Sequence, residues 1–201
     1  MNQWEFEGEY AARGYRLICG ADEAGAGPLA GPVYAAAVIL PFGAEIEGLD
    51  DSKKLTEKKR EALFPVIQEK AVAWAVASVD AAEIDATDIL SARMKAMQLA
   101  MDALPVKPDF ALIDGNRDKG KSAAIVTPHR CVVQGDSLSA NIAAASVLAK
   151  VSRDRYMLEV AAQYPQYRFE KHKGYGTKLH YELLRRYGPS PIHRRTFLKN
   201  L

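Results

Sequence analysis

The sequence predicts an α/β fold: a mixed β-sheet flanked by helices, with a small helical appendage at the C-terminal end. Three observations predict it. Five short apolar runs have strand character, segments of helical periodicity lie between and after them, and residues 164–201 are basic and broken by glycine and proline.

The elements follow in order. Tyr15–Ala21 is a strand ending at the adjacent acids Asp22 and Glu23. Pro32–Leu40 is a buried strand closed by Pro41-Phe42-Gly43. Asp50-Asp51-Ser52 has the composition of a helix start, and Leu55, Leu63, Phe64 and Ile67 continue at helical spacing to Lys70. Val72–Val79 is the third strand. Ala81–Leu104 reads as one helix, with Ile84, Ile89, Leu90, Met94, Met97 and Met101 as its inner face; a methionine stripe of this kind fills core. Phe110–Ile113 and Ala123–Val133 are the fourth and fifth strands, stopping at Asp114-Gly115-Asn116 and Gly135-Asp136-Ser137. A long helix over Ser139–Gln163 is alanine-rich and therefore able to lie close against a sheet. Residues 1–163 make the core, with 164–201 packed on it as part of a single domain.

The bulk numbers agree. A chain of 201 residues, 48% apolar and 26% charged, has the make-up of a soluble globular domain. No apolar stretch approaches the roughly 20 residues that cross a bilayer. Met1–Tyr10 carries Glu5, Glu7 and Glu9 and no basic residue, unlike a signal peptide. Cys19 and Cys131 do not make a disulfide framework and read as buried free thiols. The expectation is a cytoplasmic protein with no membrane partner. Residues 1–149 hold 15 basic and 21 acidic side chains, and residues 150–201 hold 12 and 4. An acidic body with a basic tail suits a polyanionic partner, although a charge run alone also describes a solvated helix face.

Three strands end on acids: Asp22 with Glu23, Asp114, and Asp136. Ligands of open α/β sheets gather beyond strand ends. Four carboxylates and no His or Cys there suit a hard cation such as Mg²⁺ or Mn²⁺ rather than zinc. Successive strand residues point to opposite faces, so Asp22 and Glu23 share a site only through a twist, a bulge or a backbone carbonyl. Asp136 could instead cap the helix that follows. Gly25-Ala26-Gly27 is not a dinucleotide fingerprint, because Pro28 intervenes and a strand follows rather than a helix.

These segments, with Gly27-Pro-Leu-Ala-Gly-Pro, Asp51-Ser-Lys-Lys-Leu-Thr-Glu-Lys-Lys-Arg, Leu112-Ile-Asp-Gly-Asn, Ala143-Ala-Ala-Ser-Val-Leu-Ala-Lys-Val-Ser-Arg-Asp, His172-Lys-Gly-Tyr-Gly-Thr and His193-Arg-Arg-Thr-Phe, make the chain resemble bacterial ribonuclease HII, the type 2 ribonuclease H, over about residues 16–197. The resemblance implies a ribonuclease H-like fold and hydrolysis of RNA in RNA–DNA hybrids, with nicking 5′ of single ribonucleotides embedded in duplex DNA to leave 3′-hydroxyl and 5′-phosphate ends. It implies Asp22, Glu23, Asp114 and Asp136 as the metal-binding catalytic acids, two Mn²⁺ or Mg²⁺ ions, and a monomeric enzyme with no extra substrate-binding domain. Tyr175 would pack on a deoxyribose at the RNA–DNA junction, and Gly25, Ala26 and Gly27 would form the loop that reads that junction. Ser52 and Lys53, with Lys54 nearby, would contact the nucleic-acid backbone.

Ala26 departs from the family, whose loop reads Gly-Arg-Gly. Its backbone amides can still reach a phosphate or a 2′-hydroxyl, but one cation is gone, which weakens binding without touching the metal site. The alternative is therefore a nucleic-acid-binding protein with impaired cleavage. Lys150 and Arg153 lie at helical spacing and face phosphates or water. His172 and His193 could titrate near neutrality.

Overall fold

The computed structural model describes residues 3–199. In chain order the elements are α1 (Glu5–Ala12), β1 (Ile18–Ala24), β2 (Val33–Ile39), α2 (Glu57–Lys70), β3 (Ala73–Val79), α3 (Ala81–Ala86), α4 (Ile89–Asp102), β4 (Phe110–Asp114), β5 (His129–Val132), α5 (Gly135–Leu138), α6 (Ala140–Gln163), α7 (Phe169–His172) and α8 (Lys178–Tyr187). The strands form one sheet in the order β3-β2-β1-β4-β5. The β1–β2 and β2–β3 pairs are antiparallel, whereas β1–β4 and β4–β5 are parallel. This is the expected mixed sheet, and β1, which carries the first acids, lies at its centre.

Each face is covered by the helix whose residues fit it. On one side Cys19, Ala21, Val33, Ala35 and Ala37 meet the methionine stripe of α4, Met94, Met97 and Met101. On the other, Ala36 and Val38 meet Ala144, Ala145 and Leu148 of α6, with Leu63, Phe64 and Ile67 of α2 alongside. Gly20 faces α6 so closely that a Cβ there would fall on the backbone of Asn141 and Ile142. That approach lets Asn141 brace two strands, accepting from Leu40 N at 2.7 Å and donating to Ile18 O at 3.2 Å.

Several boundaries differ from the sequence reading. The first helix after β2 begins at Glu57, not at Asp50–Ser52, because Thr56 accepts the Lys59 N–H and residues 51–55 remain a loop. The segment 81–104 is two helices. Thr87 and Asp88 leave helical geometry, and both Asp88 carboxylate oxygens take donors from Ser91. The fifth strand is only His129–Val132. Upstream of it the Val126 N–H goes to the Gln98 side chain, and Pro128 has no N–H to offer a neighbour. Cys19 is buried as expected, but Cys131 on this edge strand is only half-buried.

Helix α1 was not foreseen. It docks through Tyr10, stacked on Phe110 with centroids 4.0 Å apart, and through buried Glu7, which accepts from Ser139 Oγ (2.6 Å) and Asn141 N at the start of α6. The C-terminal segment builds its own apolar cluster from Tyr167, Phe169 and Leu184, which pack on Met157 and Val160 of α6 and on Leu29 and Ala30. No helix among the described residues is long and apolar enough to cross a membrane.

That segment also buries three imidazoles. Ser190 N donates to His193 Nδ1, so the His193 proton sits on Nε2 and faces His180 Nε2 at 3.0 Å; the His180 proton is then on Nδ1, donated to Tyr175 O. His172 accepts from Gly174 N and donates to Tyr167 O. Burial pushes His180 and His193 down to about 4, His180 further lowered by the His172 charge and His193 by the His180 charge, so neither titrates near neutrality. The unfolded chain protonates them near 6.5 while the folded chain does not, so their contribution to stability is complete above that pH and lost between 6.5 and 4. One such histidine is worth about 3 kcal/mol across that window, and the coupled pair less than twice that. Urea midpoints should fall steadily from pH 7 to pH 5, and His180→Gln should flatten that slope.

Candidate active site

Asp22, Asp114 and Asp136 come from three elements. Each offers a carboxylate oxygen within 4.8 Å of those of the other two. Asp22 is on β1, Asp114 ends β4, and Asp136 lies in the short helix α5 rather than in a loop. The turn before α5 explains this placement. Gln134 takes a left-handed conformation, and the Gly135 and Asp136 N–H groups donate to Asp114 Oδ1 at 2.8 and 3.4 Å. A side chain at Gly135 would strike Ile142. Asp136 does not cap α6; Ser139 does, accepting from Ile142 N.

Glu23 is held apart from the three. The β1–β2 register runs unbroken through Asp22↔Ala36 and Glu23↔Ala35, with no bulge. Alternation therefore turns Asp22 toward α6 and Glu23 toward α4. There Glu23 Oε1 meets Arg93 Nη2 at 2.6 Å, while its Oε2 and Arg93 Nε are buried without a hydrogen-bond partner. Arg93 lies on the stripe between Ile89 and Met97, four residues from each, so a charge at an inner position was the signal in the sequence that pointed to it.

The electrostatics are those of crowded anions. Burial, then the Glu23 and Asp114 charges, push the Asp22 carboxyl well above the usual carboxylate range. Burial and Asp114 also raise Asp136, against the lowering effect of Lys53. Burial likewise raises Glu23, with Arg93 opposing it. Lys53 Nζ lies 3.2 Å from Asp136 Oδ2; burial opposes its charge, but Asp22 and Asp136 hold it above the ordinary lysine range. Asp22 and Asp136, both raised, converge with Asp114 into a donor set that a hard divalent cation satisfies. Asp114 and Asp136 open on a depression of about 370 Å³ lined also by Asp51, Lys53, Lys54, Gln134 and Ser137, while Asp22 is buried behind them.

Of the other expected positions, Ser52 is buried, with its N–H on Ser146 Oγ. Lys54 reaches Asp50 and Ser137. Gly25 is buried, Ala26 partly so, and Gly27 is exposed. Tyr175 is 40% exposed, with Lys150 Nζ 5.8 Å and the Arg153 guanidinium 5.6 Å from its ring. Lys150 itself pairs with Asp154. Arg153 faces neither phosphate nor water: it is fully buried, because backbone carbonyls surround it.

A family model described as Ribonuclease HII matches residues 19–200. The chain belongs to the ribonuclease HII family. A ribonuclease HII of Idiomarina loihiensis is 59% identical over 181 residues, covering 90% of this chain and 95% of that one. A ribonuclease HII of Caldicellulosiruptor bescii is 52% identical over 200 residues, covering 100% and 95%. The crystal structure of ribonuclease H2 from Pyrococcus horikoshii superposes with a TM-score of 0.73 at 27% identity, covering 92% of this chain and all of that one. A ribonuclease HII is a ribonuclease H-type hydrolase, and a cluster of acids able to hold divalent metal accords with that chemistry.

Proposed function

We propose that this member of the ribonuclease HII family cleaves the RNA strand of RNA–DNA hybrids and also nicks 5′ of a single ribonucleotide within duplex DNA, leaving 3′-hydroxyl and 5′-phosphate ends. The observation that carries the reading is the convergence of Asp22, Asp114 and Asp136 oxygens within 4.8 Å. Two bound Mn²⁺ or Mg²⁺ ions would supply an activated water and stabilise the leaving oxygen. Asp22, Asp114 and Asp136 would hold them, with Glu23 contributing its free Oε2 or its carbonyl. Lys53 neutralises Asp136 without metal, so a cation binding there displaces it or shares the carboxylate. Gly25, Ala26 and Gly27 would meet the ribonucleotide through backbone donors, with Tyr175 packing on the neighbouring sugar and Lys53 and the Ser52 segment facing the strand.

The test is cleavage, with Mn²⁺ and with Mg²⁺, of a duplex carrying one ribonucleotide beside an all-RNA/DNA hybrid. Both should be cut, with the single-ribonucleotide duplex nicked on its 5′ side. Gel-shift binding with no nicking in either metal would favour the alternative of a binding protein with impaired cleavage, for which Ala26 is the motive. Ala26→Arg should tighten binding of the single-ribonucleotide duplex several-fold and steepen its salt dependence by about one ion. Equal affinity and slope in the two forms would show the missing guanidinium to be dispensable.

A further inference from the structure

Two arginines lie beneath the Gly25–Gly27 loop with no exposure to solvent. Arg194, from the C-terminal segment, donates Nη2 to Gly25 O (2.6 Å), Nη1 to Ala26 O (2.8 Å) and Nε to Gly31 O (2.9 Å). Arg153, from α6, donates to the carbonyls of Pro32, Ala30 and Lys173. Each thus directs three donors to backbone carbonyls, and none of these bonds goes to a carboxylate. Burial and the neighbouring Arg153 charge bring Arg194 down to about 9, which leaves it a cation at neutral pH.

The glycines around the two arginines allow close packing there. Gly25, Gly31 and Gly174 all have positive φ, and a Cβ on them would strike Arg153, Met157 and the Ala30 carbonyl respectively. Residues 29–31 are also tied to the tail by Arg194 N to Leu29 O, Gly31 N to Ile192 O and Leu29 N to Gly174 O. Within the loop, by contrast, the Ala26 and Gly27 N–H groups take no backbone carbonyl among the described residues. Carbonyls bound inward by a cation leave the opposite edge of those peptides, their N–H dipoles, facing out. A positive charge below polarises them toward an anion.

Building on the proposed function, we propose that Arg194 is a positioning residue for nucleic-acid recognition: it holds the Gly25 and Ala26 carbonyls inward so that the Ala26 and Gly27 N–H groups face an anionic oxygen of the bound duplex. The basic tail thereby enters recognition without touching substrate. It also supplies a buried positive charge under a loop whose own side chain, Ala26, has none.

Arg194→Lys keeps the charge and loses the three-pronged grip. With Mn²⁺ and the single-ribonucleotide duplex, KM should rise about 10-fold or more while kcat stays within about 3-fold, since recognition and not chemistry is disturbed. Mn²⁺ affinity should be unchanged. A folded Arg194→Lys with wild-type KM, or with kcat and KM altered together with metal affinity, would overturn the assignment. The wild-type protein gives a second readout that no folding defect can obscure. On adding the intact duplex without divalent ion, the Ala26 and Gly27 amide resonances should shift, and amides that stay in place while the duplex binds would overturn the proposal. A wild-type protein that neither binds nor nicks this duplex would instead remove the functional reading on which the proposal rests.

Discussion

Asp22→Asn is expected to lower Mn²⁺-dependent cleavage by about 10³-fold or more while making the metal-free protein more stable. The two effects have one cause. Asp22 is buried beside Asp114 and Glu23, and both burial and those charges raise its pKa. A carboxyl raised in the folded state loses stability for the protein as pH climbs through that raised value, so at neutral pH and above the ionised group is a liability until a cation arrives. Asparagine removes the charge and keeps an oxygen to accept the Glu23 N–H, now bonded at 2.7 Å. A gain of about 1 kcal/mol or more should appear as a rise of roughly 2–4 °C per kcal/mol in the metal-free melting temperature. Asp136→Asn should be equally inactive but gain less stability, because it also breaks the Lys53 ion pair. Robust cleavage by either variant, or a lower melting temperature for Asp22→Asn, would contradict this account of the site.

Gly20→Ala should cost more stability than any change at the site. The added Cβ would meet backbone atoms of Asn141 and Ile142 and come within 2.7 Å of Asn141 Cβ, and none of these can swing aside as a side-chain tip would. Gly20 is also fixed from both sides, paired with Val38 in β2 and Leu112 in β4. Helix α6 must retreat, which loosens the Asn141 bonds to Leu40 and Ile18 and the α5 turn that carries Asp136. Overpacking of this kind is placed at about 3 kcal/mol or beyond, enough to impair folding. Gly27→Ala, whose Cβ meets nothing within 4 Å, is the control and should melt with the wild type.

What the sequence revealed follows from which forces are local. Strands β2 and β4 and helix α6 were legible because each is an apolar or alanine-rich run with a clear boundary: Pro41 and Gly43 after β2, Asp114 ending β4 and the Ser139 cap before α6. The break at Asp88 was hidden because a side-chain cap won over a continuous apolar stripe, and the late start of the fifth strand because Ile125 and Val126 look like strand while Gln98 takes the Val126 N–H. The clustering of the three aspartates could be read because each lies in, at the end of, or just beyond an apolar strand. Alternation along β1 carried the separation of Glu23 as well, but nothing in it named Arg93 as the partner. Arg153 and Arg194 were illegible in principle: their partners are backbone carbonyls, in Arg194's case some 160 residues away in sequence, and a charged residue in a basic segment reads as surface.

The central claim is that Asp22, Asp114 and Asp136 together form a divalent-metal site. Calorimetric titration of Mn²⁺ into wild-type protein, near neutral pH and in two buffers of different ionisation enthalpy, tests it most directly. Proton release, read from the difference between the two buffers, should shrink as pH rises, because metal and protons compete for the raised carboxyls, and the triple variant Asp22→Asn/Asp114→Asn/Asp136→Asn should bind no Mn²⁺. Mn²⁺ binding of unchanged affinity and stoichiometry in that variant would contradict the claim.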